Sequence, residues 1–266
     1  MRFKDKVVWI TGASSGIGEG LAYGFSAEGA TLILSARRRA ELERVKAACA
    51  NPDAVHVVPF DMTDMDAIPA ATDVTLTAAG RIDILINNAG VSQRALAEDT
   101  DLAVDRRIME IDYFGPIALT KAVLPHMIAQ KSGHLVVTSS VAGKYGVPMR
   151  SAYAAAKHAL HGYFDTLRVE IKRHHIDVTL LVIAGVKSNV SVKALTADGS
   201  EFGKEDWLGV SGLAPADCAR TVLAGLAAKE EEIEIGYGPP MAALWLKRYA
   251  PNLLTRRMSR IPLPEK

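Results

Sequence analysis

The chain has 266 residues, 49% of them hydrophobic, with 31 Lys and Arg against 30 Asp and Glu for a net charge of +1. That length and apolar content fit one large α/β core better than two small ones, and the near-neutral balance argues against a nucleic-acid partner, which would need a concentrated basic excess. Cys49 and Cys218 are the only cysteines and stand far apart, which leaves no disulfide framework or cysteine zinc site to propose and suits a reducing compartment.

Lys4-Asp5-Lys6 leads straight into Val7-Val8-Trp9-Ile10. This apolar run is too short for a signal sequence or a membrane span and suits a buried strand, so a cytoplasmic protein is expected. Thr11-Gly12-Ala13-Ser14-Ser15-Gly16-Ile17-Gly18 follows, and then a helical pattern through Leu21, Ala22, Phe25 and Ala27. The missing Cβ atoms of such a turn let a phosphate reach the backbone, and the helix N-terminus adds N–H donors and a partial positive charge. Gly29 ends the helix and residues 31–35 form a second strand, closing a βαβ unit of about thirty residues, as dinucleotide binding requires.

The end of that second strand is where an acid would hold a ribose 2′-hydroxyl. Ser35-Ala36-Arg37-Arg38-Arg39 stands there instead. A carboxylate would repel a 2′-phosphate, whereas a guanidinium pairs with it, and cations at a helix start oppose the helix dipole unless another purpose keeps them. NADP(H) is therefore expected rather than NAD(H), with Arg37 at the phosphate.

Alternation then predicts a helix over 39–49, a strand over 55–58, a helix over 64–78 and a strand over 82–86. A long helical stretch over 101–130 comes next, then a strand over 134–138, a loop carrying Ser140, a helix carrying Tyr153 and a strand over 177–182. A helix over 216–228 and a strand over 232–235 follow. Nearly unbroken apolar strands separated by helices mean a doubly wound parallel sheet with helices on both faces, an α/β fold, here without repeats or linkers across 1–266. Ligands of such sheets bind at the carboxyl ends of strands, so the Gly turn, the segment after Ile86, Ser140 and the segment after Ile183 should line one crevice.

Tyr153 and Lys157 are i and i+4, one turn apart on one helix face. A fixed ammonium favours the phenolate, by about 4 kcal/mol at ~4 Å and an effective dielectric of ~20. Such a tyrosine can work as an acid or base, and the Ser140 hydroxyl could hydrogen-bond the same substrate oxygen. Alone, Y-x-x-x-K is more often an ordinary surface pair; its weight comes from the Gly-rich turn at the other end of the chain. Gly12-Ala13-Ser14-Ser15-Gly16 also matches the G-x-S-x-G elbow of serine hydrolases, but too little chain precedes the first strand for a separate oxyanion loop. His158, His161, His174 and His175 lack a third ligand or carboxylate pattern, and no metal is assigned.

Taken together, the motifs resemble those of the short-chain dehydrogenase/reductase family over nearly the whole chain. T-G-x-x-x-G-I-G at Thr11 to Gly18, N-N-A-G at Asn87 to Gly90, and Ser140 with Tyr153 and Lys157 occur in that family's order and spacing. From Ile111 to Gly115 and on through Lys193 to Ser200 the chain is also similar to the 7B-like branch of dehydrogenase/reductases, which includes membrane-associated vertebrate members. The resemblance implies a single Rossmann-type NADP-binding oxidoreductase domain that moves a hydride between NADP(H) and a carbonyl or alcohol. Tyr153 would be the general acid/base, Ser140 would orient the substrate oxygen, and Lys157 would favour the phenolate and bind the nicotinamide ribose. Gly12, Ser14, Ser15, Gly16, Ile17 and Gly18 would take the pyrophosphate, Asp61 and Met62 the adenine, and Asn88, Ala89 and Gly90 the ribose. Val186 and Ser188 would meet the nicotinamide amide.

Two departures stand out. Asp112 replaces the family's usual Asn, keeping the backbone carbonyl of the proton relay but not the amide donors. Ile183-Ala184-Gly185-Val186-Lys187-Ser188 lacks the proline of P-G-x-V-x-T, so a looser loop is expected. These departures motivate an alternative reading, a non-catalytic NADP(H)-binding sensor.

The loop over 189–213 carries Val190, Val192, Leu195, Phe202, Trp207 and Leu208. It reads as a lid over a bulky apolar carbonyl such as a steroid, a retinoid or a fatty carbonyl, or as a loop packed on its own domain. The tail over 238–266 sets Leu244, Trp245, Leu246 and Tyr249 beside Lys247, Arg248, Arg256, Arg257 and Arg260. It reads as an anchor at a membrane surface or as a subunit contact in a homo-oligomer.

Overall fold

A computed structural model describes residues 1–204 and 211–263. Seven strands form one parallel sheet in the order β3-β2-β1-β4-β5-β6-β7. They are β1 (Val7–Thr11), β2 (Thr31–Ser35), β3 (Val55–Val57), β4 (Ile84–Asn87), β5 (Gly133–Thr138), β6 (Ile176–Ile183) and β7 (Glu232–Ile235). Among the described residues the helices that connect or cover them begin with α1 (Gly16–Ala27), α2 (Arg39–Ala47), α3 (Ala67–Ala79), α4 (Leu102–Met109), α5 (Gly115–Gln130) and α6 (Ser151–Ile171). Then come α7 (Pro215–Ala227), α8 (Pro239–Tyr249) and α9 (Pro251–Met258). Strand order reverses between β1 and β4, so the crevice opens where their carboxyl ends diverge.

The two-residue period of each strand divides the core. Val8 and Ile10 join Leu32, Leu34 and Ile86 on the face covered by α1 and α7, with Phe25 and Val222 beneath them. Trp9 points the other way, with Ile33, Leu85 and Leu135, against Leu119 and Val123 of α5 and Phe164 of α6. Trp9 is fully buried, and its indole N–H donates to Ser35 Oγ at 2.8 Å. The ring fills the core without stranding a donor.

The expected helical stretch is present from 102 to 130, but it is not α-helical throughout. A π-helical turn at Glu110–Phe114 separates α4 from α5. Pro116 at the start of α5 has no N–H for the Asp112 carbonyl four residues back, so a regular α-helical ladder cannot run through this point. A Cβ on Gly115 would stand 2.8 Å from the Met62 carbonyl oxygen, so only glycine lets the bulged turn seat against that loop. The other elements lie within a few residues of their expected positions.

Candidate active site

The Gly-rich turn is built by close approaches. Gly12 has φ +65°, and a Cβ on it would lie 2.9 Å from Ala89 Cα; Gly16 has φ +59°, and a Cβ there would lie 2.9 Å from Ser188 Cβ. The turn thus lies directly on the loops after β4 and β6. Thr11 Oγ1 accepts from the Asn88 and Ala89 N–H groups at 3.0 and 3.1 Å and donates to the Ile86 carbonyl. Asn88 Nδ2 donates to the Thr11 carbonyl, and Asn88 Oδ1 accepts from Thr138 Oγ1, tying the ends of β1, β4 and β5 together.

Gly12, Ser14, Ser15, Gly16 and Ile17 line the crevice. Gly18 does not. It lies buried in α1, where a Cβ would be 2.4 Å from the Gly12 carbonyl oxygen, and so lets the helix pack against its own turn. Ser15, at the N-cap of α1, makes no side-chain cap bond, which leaves the first N–H groups of the helix open to an anion. One brace was not expected from sequence: Arg44 of α2 donates to the Ser14 carbonyl and pairs with Glu19 at 2.8 Å.

The other end of this channel carries Ser35, Ala36, Arg37, Arg38, Asp61 and Met62. Arg37 is largely exposed, with Nη1 3.8 Å from Asp61 Oδ2. Arg39 turns away to Glu43 on the surface of α2 and takes no part. The glycine cradle and open helix N–H groups fit the pyrophosphate of a dinucleotide, and the far end carries Arg37 and Arg38 with no acid on β2.

Tyr153 and Lys157 project from the first turns of α6 into the same crevice as Ser140. Gln93, fully buried and also unforeseen, positions that helix: its Oε1 accepts from the Ala152 N–H at 2.9 Å. It serves as the cap that Arg150, at the helix start, does not provide. Lys157 Nζ donates to the Thr138 carbonyl at 3.1 Å and lies 5.6 Å from the Tyr153 ring centre. Ser140 Oγ accepts from the Ala142 N–H at 3.2 Å, so its own proton can point to a ligand.

Asp112 lies in the π turn with no exposed surface. Its Oδ1 accepts from the Val91 N–H at 2.8 Å, and its Oδ2 is 3.2 Å from Lys157 Nζ. A Cβ on Gly90 would come within 3.3 Å of Asp112 Oδ1, so the N-N-A-G segment closes over the pair. Burial pushes the Asp112 carboxyl above the usual carboxylate range, against the pull of Lys157 and the Val91 N–H. Burial also opposes the Lys157 ammonium, but the charge on Asp112, with Tyr153, outweighs it and raises its pKa.

The loop after β6 is held without the family's proline. Ala184 N–H donates to the Ile235 carbonyl, Lys187 N–H to that of Leu213, and Leu213 N–H to that of Gly185. These backbone bonds tie the loop to the end of β7 and to Leu213. Val186 and Ser188 both line the crevice, and Ser188 Oγ donates to the Val186 carbonyl at 3.3 Å.

Of the expected lid, Leu195 is buried and bonded through its backbone to Ser92 and Arg94, so this part packs onto its own domain. Val190 is exposed and lines the crevice. Trp207 and Leu208 lie outside the described residues. Arg107, Lys193 and Glu201 also line the crevice. No histidine lines the crevice near Ser14 among the described residues. His161 Nε2 shares a hydrogen bond with Ser139 Oγ at 2.9 Å, and His158 Nδ1 meets the Ala154 carbonyl at 2.8 Å.

Residues 6–198 match the family model described as short chain dehydrogenase. Dehydrogenase/reductase SDR family member 7B of Bos taurus is 42% identical over 263 residues, which cover 96% of this chain and 81% of that protein. A metagenomic short-chain oxidoreductase solved in complex with NADP is 30% identical, with a TM-score of 0.70 over 88% of this chain and 96% of that one. A short-chain dehydrogenase/reductase from Burkholderia phymatum in complex with NAD is 22% identical and superposes with a TM-score of 0.81 over 100% of this chain and 99% of that one. This last likeness speaks for the fold alone.

Proposed function

The chain belongs to the short-chain dehydrogenase family, whose members are oxidoreductases that use a nicotinamide cofactor on small molecules, and from that premise we propose that it is an NADP(H)-dependent dehydrogenase/reductase of CH–OH and C=O groups. The observation that carries the reading is the convergence of Tyr153, Lys157 and Ser140 on the crevice that begins at the Gly-rich turn. Gly12, Ser14, Ser15, Gly16 and Ile17 would hold the pyrophosphate, with Gly18 supporting them from behind. Arg37 would hold the 2′-phosphate, Asp61 and Met62 would border the adenine, Asn88, Ala89 and Gly90 the ribose, and Val186 and Ser188 the nicotinamide amide. The absence of an acid at the end of β2 supports NADP(H), as does the metagenomic relative solved with NADP.

When bound, the cofactor supplies or accepts the hydride. In the reductive direction Tyr153 Oη gives its proton to the substrate oxygen, while Ser140 Oγ donates a hydrogen bond to that oxygen and keeps its lone pair on the Ala142 N–H. Lys157, held cationic by Asp112, stabilises the phenolate that remains and offers a donor to the ribose. The Asp112 carbonyl, to which Pro116 has no N–H to offer, is available to a relay water.

Val91, Ile111 and Val190 give the substrate end apolar surface for a bulky carbonyl, and Arg107 and Lys193 among them suit acceptor groups elsewhere on the same molecule. Buried free Cys49 and Cys218 fit a reducing, cytoplasmic setting. Exposed Leu102, Phe114 and Val169 support a homo-oligomer, and residues 1–266 are taken as one NADP-binding unit.

A panel of carbonyls and alcohols with NADPH and NADP+ tests the reading. Tyr153→Phe should abolish turnover and leave NADPH affinity nearly unchanged, since it removes one proton and almost no contact area. Near-normal rates in that variant would end the acid/base assignment. Tight NADPH binding with no turnover across the panel would favour the sensor.

A further inference from the structure

The two C-terminal helices have one face seated and one face unused. Ala243, Leu244 and Leu246 of α8 and Leu254 and Met258 of α9 pack on Val141, Tyr145, Val182 and Ala184, and the Tyr145 hydroxyl donates to the Pro240 carbonyl at 3.0 Å. On the opposite side of α8, Trp245 and Tyr249 are 66% and 67% exposed, one turn apart, and stack with ring centres 5.7 Å apart. Leu253, Ile261 and Leu263, further along the chain, are exposed as well.

Residues 237–263 also hold Lys247, Arg248, Arg256, Arg257 and Arg260 and no Asp or Glu, a charge of +5 that leaves −4 for the rest of the chain. All five cations are exposed, and none has a carboxylate partner among the described residues. Arg248 lies over the Tyr249 ring at 5.7 Å.

We propose that the outer face of α8 and α9 docks on an anionic lipid surface. Aromatic and aliphatic side chains interleaved with arginines are the composition of a helix lying in a bilayer interface, where the rings sit at headgroup level and the cations meet phosphates. A second copy is the poorer occupant, because a two-fold contact would set five cations against the same five. A nucleic acid would satisfy the arginines but leave Leu253, Ile261 and Leu263 without a partner. No helix among the described residues is long and apolar enough to cross a membrane. Val141 follows Ser140 directly, and Ala184 lines the crevice. The inner face of the docking helices is therefore fastened beside the crevice, which would hold the crevice close to the bilayer and suits a carbonyl drawn from it. That consequence rests on the oxidoreductase reading; the docking does not.

Co-sedimentation with vesicles of phosphatidylcholine alone, or mixed with phosphatidylglycerol, tests it on the full chain, without need of a substrate. The expected result is binding to the phosphatidylglycerol vesicles that weakens as salt rises. Arg256→Gln with Arg257→Gln should weaken it roughly 25-fold, about fivefold per surface cation. Trp245→Ala with Tyr249→Ala should also release the protein, while circular dichroism and NADPH binding stay as in the parent. No binding to phosphatidylglycerol vesicles at low salt, or equal binding to both vesicle types, would overturn the proposal. So would lipid-free self-association that the Trp245 and Tyr249 changes abolish, since a second copy would then own the face.

Discussion

Asp112→Asn probes the most unusual contact of the site. The carboxylate Oδ2 is 3.2 Å from Lys157 Nζ, where an effective dielectric of ~20 gives a Coulomb attraction of about 5 kcal/mol. The substituted amide can still accept from the Val91 N–H, and Lys157 keeps the Thr138 carbonyl, so the fold should survive. The negative charge is lost, however. The charge on Asp112 outweighs burial and holds the Lys157 pKa up; without it that pKa falls. Every limb of the profile that depends on Lys157 should therefore move to lower pH, with activity at the optimum equal to or above the parent's. Initial rates of alcohol oxidation against pH, for both proteins, decide it. An unmoved profile would mean the carboxylate is electrostatically isolated from the site, and a folded, NADPH-binding but inactive variant would give the carboxylate itself a catalytic role. Asp112→Leu is the contrasting case: it removes the same charge but also strands the Val91 N–H, which Asn keeps bonded, and should cost about 1–3 kcal/mol more than Asp112→Asn by urea unfolding.

Arg37→Asp should lower the kcat/KM ratio of NADP over NAD by ~10–100-fold, the worth of a charge-assisted bond to phosphate; equal efficiency of the parent with both cofactors would remove the claim. Gly18→Ala puts a methyl 2.4 Å from the Gly12 carbonyl oxygen, so it should weaken NADPH binding in titrations and cost about 1–3 kcal/mol of stability; parent-like values for both would refute the packing role. Burial presses the His134 pKa down to about 4, and its Nε2 meets Thr179 Oγ1, which itself donates to the Glu230 carbonyl, so the ring is neutral with the proton on Nε2. A depressed pKa means stability present above the unfolded value, near ~6.5, and lost as pH falls toward 4, at most about 3 kcal/mol from this residue. Urea unfolding at pH 7.5 and 4.5 should show a smaller loss for His134→Gln than for the parent, and equal losses would exclude the residue as a source of acid sensitivity.

The sheet, its parallel sense and the Gly-rich turn were legible in the sequence because each is written at short range. A strand buried on both faces must be apolar throughout, a helix start that meets a phosphate must lack Cβ atoms, and Tyr153 with Lys157 share a face by the helical period alone. The arginines after β2 were equally plain, although only the structure separated Arg37 and Arg38, which line the crevice, from Arg39, which pairs with Glu43. What local pattern could not reach were the contacts between distant segments. Residues 101–130 have the periodicity of one helix, yet the π turn at Glu110–Phe114 interrupts them, where Asp112 meets Lys157 and the Val91 N–H from two other segments. Gln93 caps α6 and Arg44 braces the Ser14 carbonyl, roles that belong to no motif because their partners lie on other elements. Leu195, equally suited by its apolarity to a lid or to the core, is placed by backbone bonds to Ser92 and Arg94. Propensity and periodicity are properties of neighbours along the chain, whereas a buried charge, a borrowed helix cap or a pinned loop is stable only through groups that folding alone brings within a few ångströms.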